Sequence, residues 1–191
     1  MELRVLGCLI EKHRTTPDAY PLSLNSLRLA CNQSTNRDPV VEYDEPASRG
    51  ALDRLSRRGW VRLASGSGSR AAKYRHLIGD ALGLSGAEES LLAVLMLRGP
   101  QTPGELKQRT ERLHHFESPA DVDVVLDGLI GRELVARLPR RPGQKEQRYT
   151  QLLGGDGEEV GGGSSDNSLE ARVAQLEAEV RSLREALDGR S

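Results

Sequence analysis

The stretch ALDRLSRRGWVRLASGSGSRAAKYRHLI (51–78) has an echo in VLDGLIGRELVARLPRRPGQKEQRYTQLL (125–153). Leu52-Asp53 aligns with Leu126-Asp127 at an offset of 74, and Leu55, Arg58 and Val61 align with Leu129, Arg132 and Val135. After one inserted residue, Tyr74 and Leu77 align with Tyr149 and Leu152. Each copy reads as an amphipathic helix, a tight break, a strand, a polar hairpin tip and a returning strand. That order is the back half of a winged helix, the third helix followed by its wing. The period is too long for a solenoid unit, so the repeat predicts two related domains in tandem.

Working outward, Leu3, Leu6, Leu9, Ile10 and His13 recur at helical spacing and predict a helix over 2–14. Ser23 caps a second helix running to Cys31 with Leu24 and Leu27 inward, and Asp44 caps the third, with Pro46 in its first turn and Leu52 and Leu55 inward. Gly59 ends that helix, residues 60–63 form a strand, SGSGS is the wing tip and 73–78 returns. A link, GDALGLSG (79–86), leads to the second half. There Ser85–Glu88 and Thr102–Glu105 are capping boxes, and Ser118-Pro119-Ala-Asp121 opens a helix in the same way. Leu6, Leu27 and Leu52 correspond to Leu92, Leu106 and Leu126 at offsets of 86, 79 and 74, so the first half carries longer loops. Long loops on a repeated scaffold are where a duplicated unit acquires its own task.

Residues 154–167 read as a flexible Gly/Ser/acidic linker. Beyond it, over 168–188, Leu169, Val173, Leu176, Val180, Leu183 and Leu187 repeat at 4-3-4-3-4 spacing. Val at a with Leu at d favours a parallel two-stranded coiled coil, and Arg172–Glu177 and Glu179–Arg184 pairs would attract between identical chains. The competing reading is a solitary or self-docked amphipathic helix. The expected fold class is therefore mainly α with small β-hairpins (α+β): a first winged helix over 1–80, a second over 81–153, and a coiled-coil dimerisation helix.

The formal net charge of −1 conceals an asymmetry. Residues 1–80 hold 13 Lys/Arg against 9 Asp/Glu, residues 81–153 hold 10 of each, and the remainder holds 4 against 9. Arg49 to Arg75 contains eight basic residues against Asp53 alone. No run of about 18 apolar residues occurs and no signal-peptide pattern opens the chain. Cys8 and Cys31 lie in expected helices without CxxC spacing and read as buried reduced thiols rather than a disulfide. A cytoplasmic location is expected.

A winged helix lays its third helix in the major groove and its wing against phosphates. Arg49, Arg54, Arg57 and Arg58 on the first such helix, with Arg70, Lys73 and Arg75 on its wing, are the candidate nucleic-acid contacts. An ordinary solvated face is the competing reading. The second third helix is acidic (Asp121, Asp123, Asp127), and only its wing is basic, through Arg137, Arg140, Arg141, Lys145 and Arg148. The second half is thus the poorer DNA reader and the better candidate for a protein contact. The loop from Asn32 to Asp38 is dense in hydrogen-bonding side chains, suited either to a ligand or to turning the chain, with Arg37 paired to Asp38 or Glu42. Adjacent His114 and His115 point about 100° apart on a helix and make a poor chelate. No GxSxG, HExxH or Walker motif is present, and neither an enzyme nor a cofactor is expected.

LGCLIEKHRTTPDAYPLSLNSLRLACNQSTNRDPVVEYDE (6–45), RTERLHHFES (109–118) and the Tyr149-containing wing resemble the YceH-like family of bacterial proteins of unknown function. The resemblance covers residues 2–153 and the heptad tail. It implies a tandem winged-helix fold and no established activity. It also marks Asn32, Gln33, Asn36, Arg37 and Asp38, with Arg109, Thr110, His115 and Phe116, as candidates for a shared site. The lysine usual after Asn-Gln is Ser34 here, which weakens a purely electrostatic role for that loop. The expected function is a non-enzymatic, DNA-binding, transcription-regulatory homodimer; the alternative is a protein–protein scaffold without nucleic-acid binding. RNA binding in translation is a third reading. The expected partners are a second copy of the chain, double-stranded DNA and an unidentified protein, without a membrane.

Overall fold

The computed structural model describes residues 1–64, 72–140 and 146–154. Both hairpin tips lie outside the described residues, with Arg70, Arg141 and Lys145. So do the linker beyond Gly154 and the heptad segment with Leu169, Val173, Leu176, Val180, Leu183 and Leu187.

The first half runs α1 (Glu2–Thr15), a 3-10 turn (Pro17–Ala19), β1 (Leu22–Ser23), α2 (Leu24–Cys31), α3 (Glu45–Arg57), β2 (Val61–Ala64) and β3 (Lys73–His76). After α4 (Ile78–Leu82), the second half repeats the order with α5 (Gly86–Arg98), α6 (Pro103–Thr110), α7 (Pro119–Gly131), β4 (Val135–Arg137) and β5 (Tyr149–Gln151). The chain is mainly helical with small antiparallel sheets, one ordered β1-β3-β2 and the other β4-β5.

The helix starts follow from local chemistry. Ser23 accepts from the Ser26 amide (3.2 Å) and Asp44 from the Ala47 amide (2.8 Å). Ser85, Thr102 and Ser118 each close a reciprocal capping box. Each such cap is worth about 1 kcal/mol. The repeat is kept in the strand register. Val61 pairs with His76 as Val135 pairs with Gln151, and the two aligned tyrosines are edge-paired alike, Tyr74 with Leu22 and Tyr149 with Gln101. The turn after α3 is also duplicated: Gly59 at φ 73° precedes β2, and Glu133 at φ 56° precedes β4.

Four expectations need correction. Trp60 precedes β2 rather than opening it. Leu22–Ser23 forms an unexpected edge strand, two residues being too few to show a pattern. Ile78 does not close the wing but opens α4, where it is fully buried; Gly83 at φ 58° ends this five-residue helix, too short for periodicity to reveal. His13 is exposed rather than inward, its ring stacked on Tyr20 at 4.7 Å.

The main helix contact joins the first helices of the two halves, α1 and α5. Gly7 permits the approach: a Cβ there would lie 3.0 Å from Leu97 Cγ and 3.1 Å from Met96 Cβ. With α5 on one side and α2 and α3 on the other, every residue from Arg4 to Ile10 is buried, not just the stripe the spacing suggests. Residues Glu89 to Leu97 of α5 are buried likewise. One cluster of apolar side chains runs from Val5 and Leu52 through Leu92 to Leu126 and Tyr149, and Met1–Gly155 forms one compact unit.

Candidate functional site

On α3, Ser48, Ala51, Leu52 and Leu55 are buried, which turns Arg49, Arg54, Arg57 and Arg58 outward. None of these arginines is idle. Arg49 reaches Glu45 at 3.0 Å, and Arg57 donates to the Asp53 carbonyl at 3.3 Å. Arg54 is bonded to Glu2 at the start of α1, and Arg58 lies 3.8 Å from the same carboxylate and 5.2 Å from the centre of the Trp60 ring. Arg62 and Arg75 stand directly opposite on β2 and β3, and Lys73 pairs with Ala64. Two like charges opposed across a ladder repel, so this hairpin is electrostatically suited to an anion.

The equivalent face of the second half differs. Asp121 is absorbed in the Ser118 capping box, Asp123 accepts from the Tyr149 hydroxyl (3.4 Å), and Asp127 pairs with Arg137. Arg140 is exposed. Arg148 braces the sheet to the start of α6, donating to the Pro100 carbonyl (2.6 Å) and lying 3.4 Å from Glu105. Val124 is 72% exposed in the middle of this acidic helix.

The sequence-marked residues gather elsewhere. Arg37 is buried and does not pair with Asp38 or Glu42: its partner is Glu11 on α1, reached through Nη1 (3.1 Å) and Nη2 (2.6 Å). It also donates to Ala30 O (3.0 Å), Asn36 O (2.8 Å) and Gln33 Oε1 (3.2 Å), so it fastens the loop to both α1 and α2. Burial, the largest single influence, lowers its pKa, but the hydrogen bonds to Glu11 and the nearby negative charge together outweigh it and the net shift is upward. Asn32 clamps Tyr43, donating to its carbonyl and accepting from its amide, each at 2.8 Å. Asn36 sits at φ 59° and accepts from Arg98 of α5, and the Asp38 amide donates to Leu97 O (2.9 Å).

This turn closes one side of an open groove of about 790 Å³, bounded also by the ends of α1, α5 and α6. Gln33, Asn36 and Arg109 line it, and Arg37 lies directly behind Glu11 on its wall. Thr110 is buried, donating to Leu106 O (2.8 Å), and Phe116 is buried against the His114 ring (4.8 Å). Those two support the segment from behind. His115 is exposed and bonded to Glu111 at 2.7 Å. The motif therefore divides into groove-lining residues and the frame that holds them.

Sequence reasoning missed Lys12, Arg98 and Arg112, which share the groove. Lys12 and Arg98 look like ordinary helix-end cations complementing a dipole, and only the packing of α1 on α5 unites them. It also missed a second cluster. His13 Nδ1 and His76 Nε2 are 2.9 Å apart, and the Tyr20 hydroxyl accepts from the His76 amide at 2.7 Å. Burial, reinforced by His13, Arg14 and Arg75, pulls His76 down to about 4. Burial pushes Tyr20 up to about 12 and holds the free Cys8 thiol, hydrogen-bonded to Cys31, well above its usual value. Among the described residues no group of three or more His, Cys, Asp or Glu is placed to hold a metal ion, and no helix is long and apolar enough to cross a membrane.

Residues 1–144 match the family described as "Protein of unknown function, DUF480". Similar curated proteins carry the name UPF0502 protein. A UPF0502 protein of Pelobacter propionicus is 48% identical, covering 96% of this chain and 89% of its own length. One from Serratia proteamaculans is 45% identical over 97% and 92%, and one from Shewanella sp. strain ANA-3 is 43% identical over 98% and 94%.

Proposed function

Because the chain belongs to the bacterial family of unknown function described as DUF480, its role has to be read from its own surface, and we propose that it is a non-enzymatic, homodimeric DNA-binding protein of the cytoplasm, built from two winged helices in tandem and acting in transcriptional regulation. The observation that carries this reading is the outward basic face of α3 beside the opposed Arg62 and Arg75 of its hairpin. In such a protein α3 enters the major groove and β2–β3 lies against the backbone. The chemistry is appropriate, since arginine reads guanine bidentately and clamps phosphate. Dimerisation rests on the heptad pattern of 168–188, and a two-fold dimer would favour a palindromic site. Glu2 acts as an internal counter-ion that phosphate must displace from Arg54 and Arg58.

The test is binding to mixed-sequence duplex DNA, wild type against Arg54, Arg57 and Arg58 all changed to Ala. Loss of three charge-assisted contacts should weaken binding by about a hundredfold or more. Equal binding by the triple variant refutes the assignment to α3. A second reading, a protein-docking scaffold, is favoured by Val124 standing exposed between Asp121 and Asp127 on α7. In that case a partner would bind through α7 and the triple variant would leave it unaffected.

A further inference from the structure

The groove between the ends of α1, α5 and α6 plays no part in the DNA-binding reading, yet it has the make-up of a ligand site. We propose that it binds a small polyhydroxy molecule bearing phosphate groups, a phosphorylated sugar in chemical class, through Lys12, Arg98, Arg109 and Arg112.

Its volume of about 790 Å³ lies in the range of small-molecule pockets, about 300–1,000 Å³. Its charge is one-sided. Four cations reach it against one carboxylate, Glu11, and both oxygens of Glu11 are already taken by Arg37. Concave walls of one charge focus the field on whatever enters. Arg98 donates to Asn36 Oδ1, but the other three cations are weakly partnered. Lys12 has only Glu11 at 3.9 Å, Arg109 has Glu105 at 3.5 Å, and Arg112 has no partner among the described residues. Arg98 is held below its usual pKa by burial and by the repulsion of Arg109 and Arg37. A doubly charged phosphate would relieve that repulsion, and the arginine fork matches phosphate geometry.

The neutral lining specifies the rest of the ligand. Ser34, Thr35 and Gln108 offer hydroxyl and amide groups, over a small apolar floor of Val94, Leu97 and Leu113. Among the described residues no aromatic ring lines the groove, so a nucleobase would find no aromatic platform to stack on. Hydroxyl-rich ligands suit such walls better than nucleotides do. The site is also fixed before any ligand arrives, because Arg37 and Asn32 tie the 32–38 turn down. A preorganised site loses little in ordering on binding.

The experiment is calorimetric titration of the full-length chain with fructose 1,6-bisphosphate, inorganic phosphate and fructose. Wild type is compared with Arg112→Gln, in an exposed turn, and with the exposed control Arg140→Gln; circular dichroism verifies that both variants fold. The bisphosphate should bind saturably, at least about tenfold more tightly than inorganic phosphate, and fructose should not bind. Arg112→Gln should weaken the bisphosphate about tenfold, the loss of one charge-assisted contact, and Arg140→Gln should not. Duplex-DNA affinity should be the same for Arg112→Gln as for wild type. No saturable binding at about 10 mM ligand, beyond physiologically useful affinity, overturns the proposal. So does equal weakening by Arg112→Gln and Arg140→Gln, which would mean diffuse anion attraction. A fall in DNA affinity with Arg112→Gln would make the groove part of a nucleic-acid surface and overturn it equally. Failure of the triple α3 variant to lose DNA binding leaves this result untouched.

Discussion

The buried pair Arg37–Glu11 gives the sharpest prediction about how the groove is held. The Arg37 side chain is 0% exposed and that of Glu11 12% exposed. Glu11→Leu strands the Arg37 charge where water cannot solvate it and should cost about 3–5 kcal/mol. Arg37→Met leaves Glu11 on the groove wall beside Lys12 and should cost less, about 1–3 kcal/mol. The double variant should cost less than the sum, with a coupling of about 2–3 kcal/mol, because neither charge then remains alone. Some loss should persist even so, since Ala30 O, Asn36 O and Gln33 Oε1 forfeit their donor. Urea unfolding followed by circular dichroism, with linear extrapolation to water, measures all four corners of the cycle. Single and double costs that add to within about 0.5 kcal/mol would refute the reasoning, because Arg37 would then be held by its carbonyl partners and not by Glu11.

Four further outcomes follow from the fold. His76, pulled from an ordinary value of 6.5 to about 4, favours its neutral form in the fold. Its stabilisation is therefore present above about pH 6.5 and is lost as pH falls toward 4, by up to about 1.4 kcal/mol per unit; His76→Gln should flatten that slope in pH-dependent urea melts. Glu133 occupies a left-handed conformation, φ 56°, where its counterpart is Gly59, so Glu133→Gly should stabilise the protein by about 1 kcal/mol, and an unchanged or lowered melting temperature would contradict this. Gly7→Val should destabilise by about 1–3 kcal/mol through overpacking against Leu97 and Met96. Gly128→Ala, with nothing within 4 Å of its Cβ, should instead stabilise by about 0.5–1 kcal/mol through helix propensity.

What could be read from the chain in advance was what depends on near neighbours. Ser23, Asp44, Ser85, Thr102 and Ser118 announce their helices because a cap is completed within three residues. The repeat was legible to the level of strand register, with Val61 and Val135, and Tyr74 and Tyr149, in matching places. Contacts distant in sequence were not legible. The spacing of Leu3, Leu6 and Ile10 shows one apolar stripe on α1, but Gly7 and Cys8 are buried too, α5 packing on α1. The same distance hid Glu11 as the partner of Arg37, 26 residues away. The groove escaped notice for a related reason: Lys12, Arg98 and Arg112 belong to three segments and become one site only through folding. The family-like strings pointed to Gln33, Asn36 and Arg109, but could not separate them from Asn32 and Thr110, which serve as framework.

The most direct test of the central claim is the salt dependence of duplex-DNA binding by the full-length chain, measured by fluorescence anisotropy from about 50 to 200 mM salt. With about four phosphates neutralised per protomer by α3 and its hairpin, log affinity should fall linearly with log salt at a slope near −3.6 per protomer engaged, about a hundredfold over that range. No detectable binding at about 50 mM salt, where phosphate contacts are strong, would contradict DNA recognition by this face.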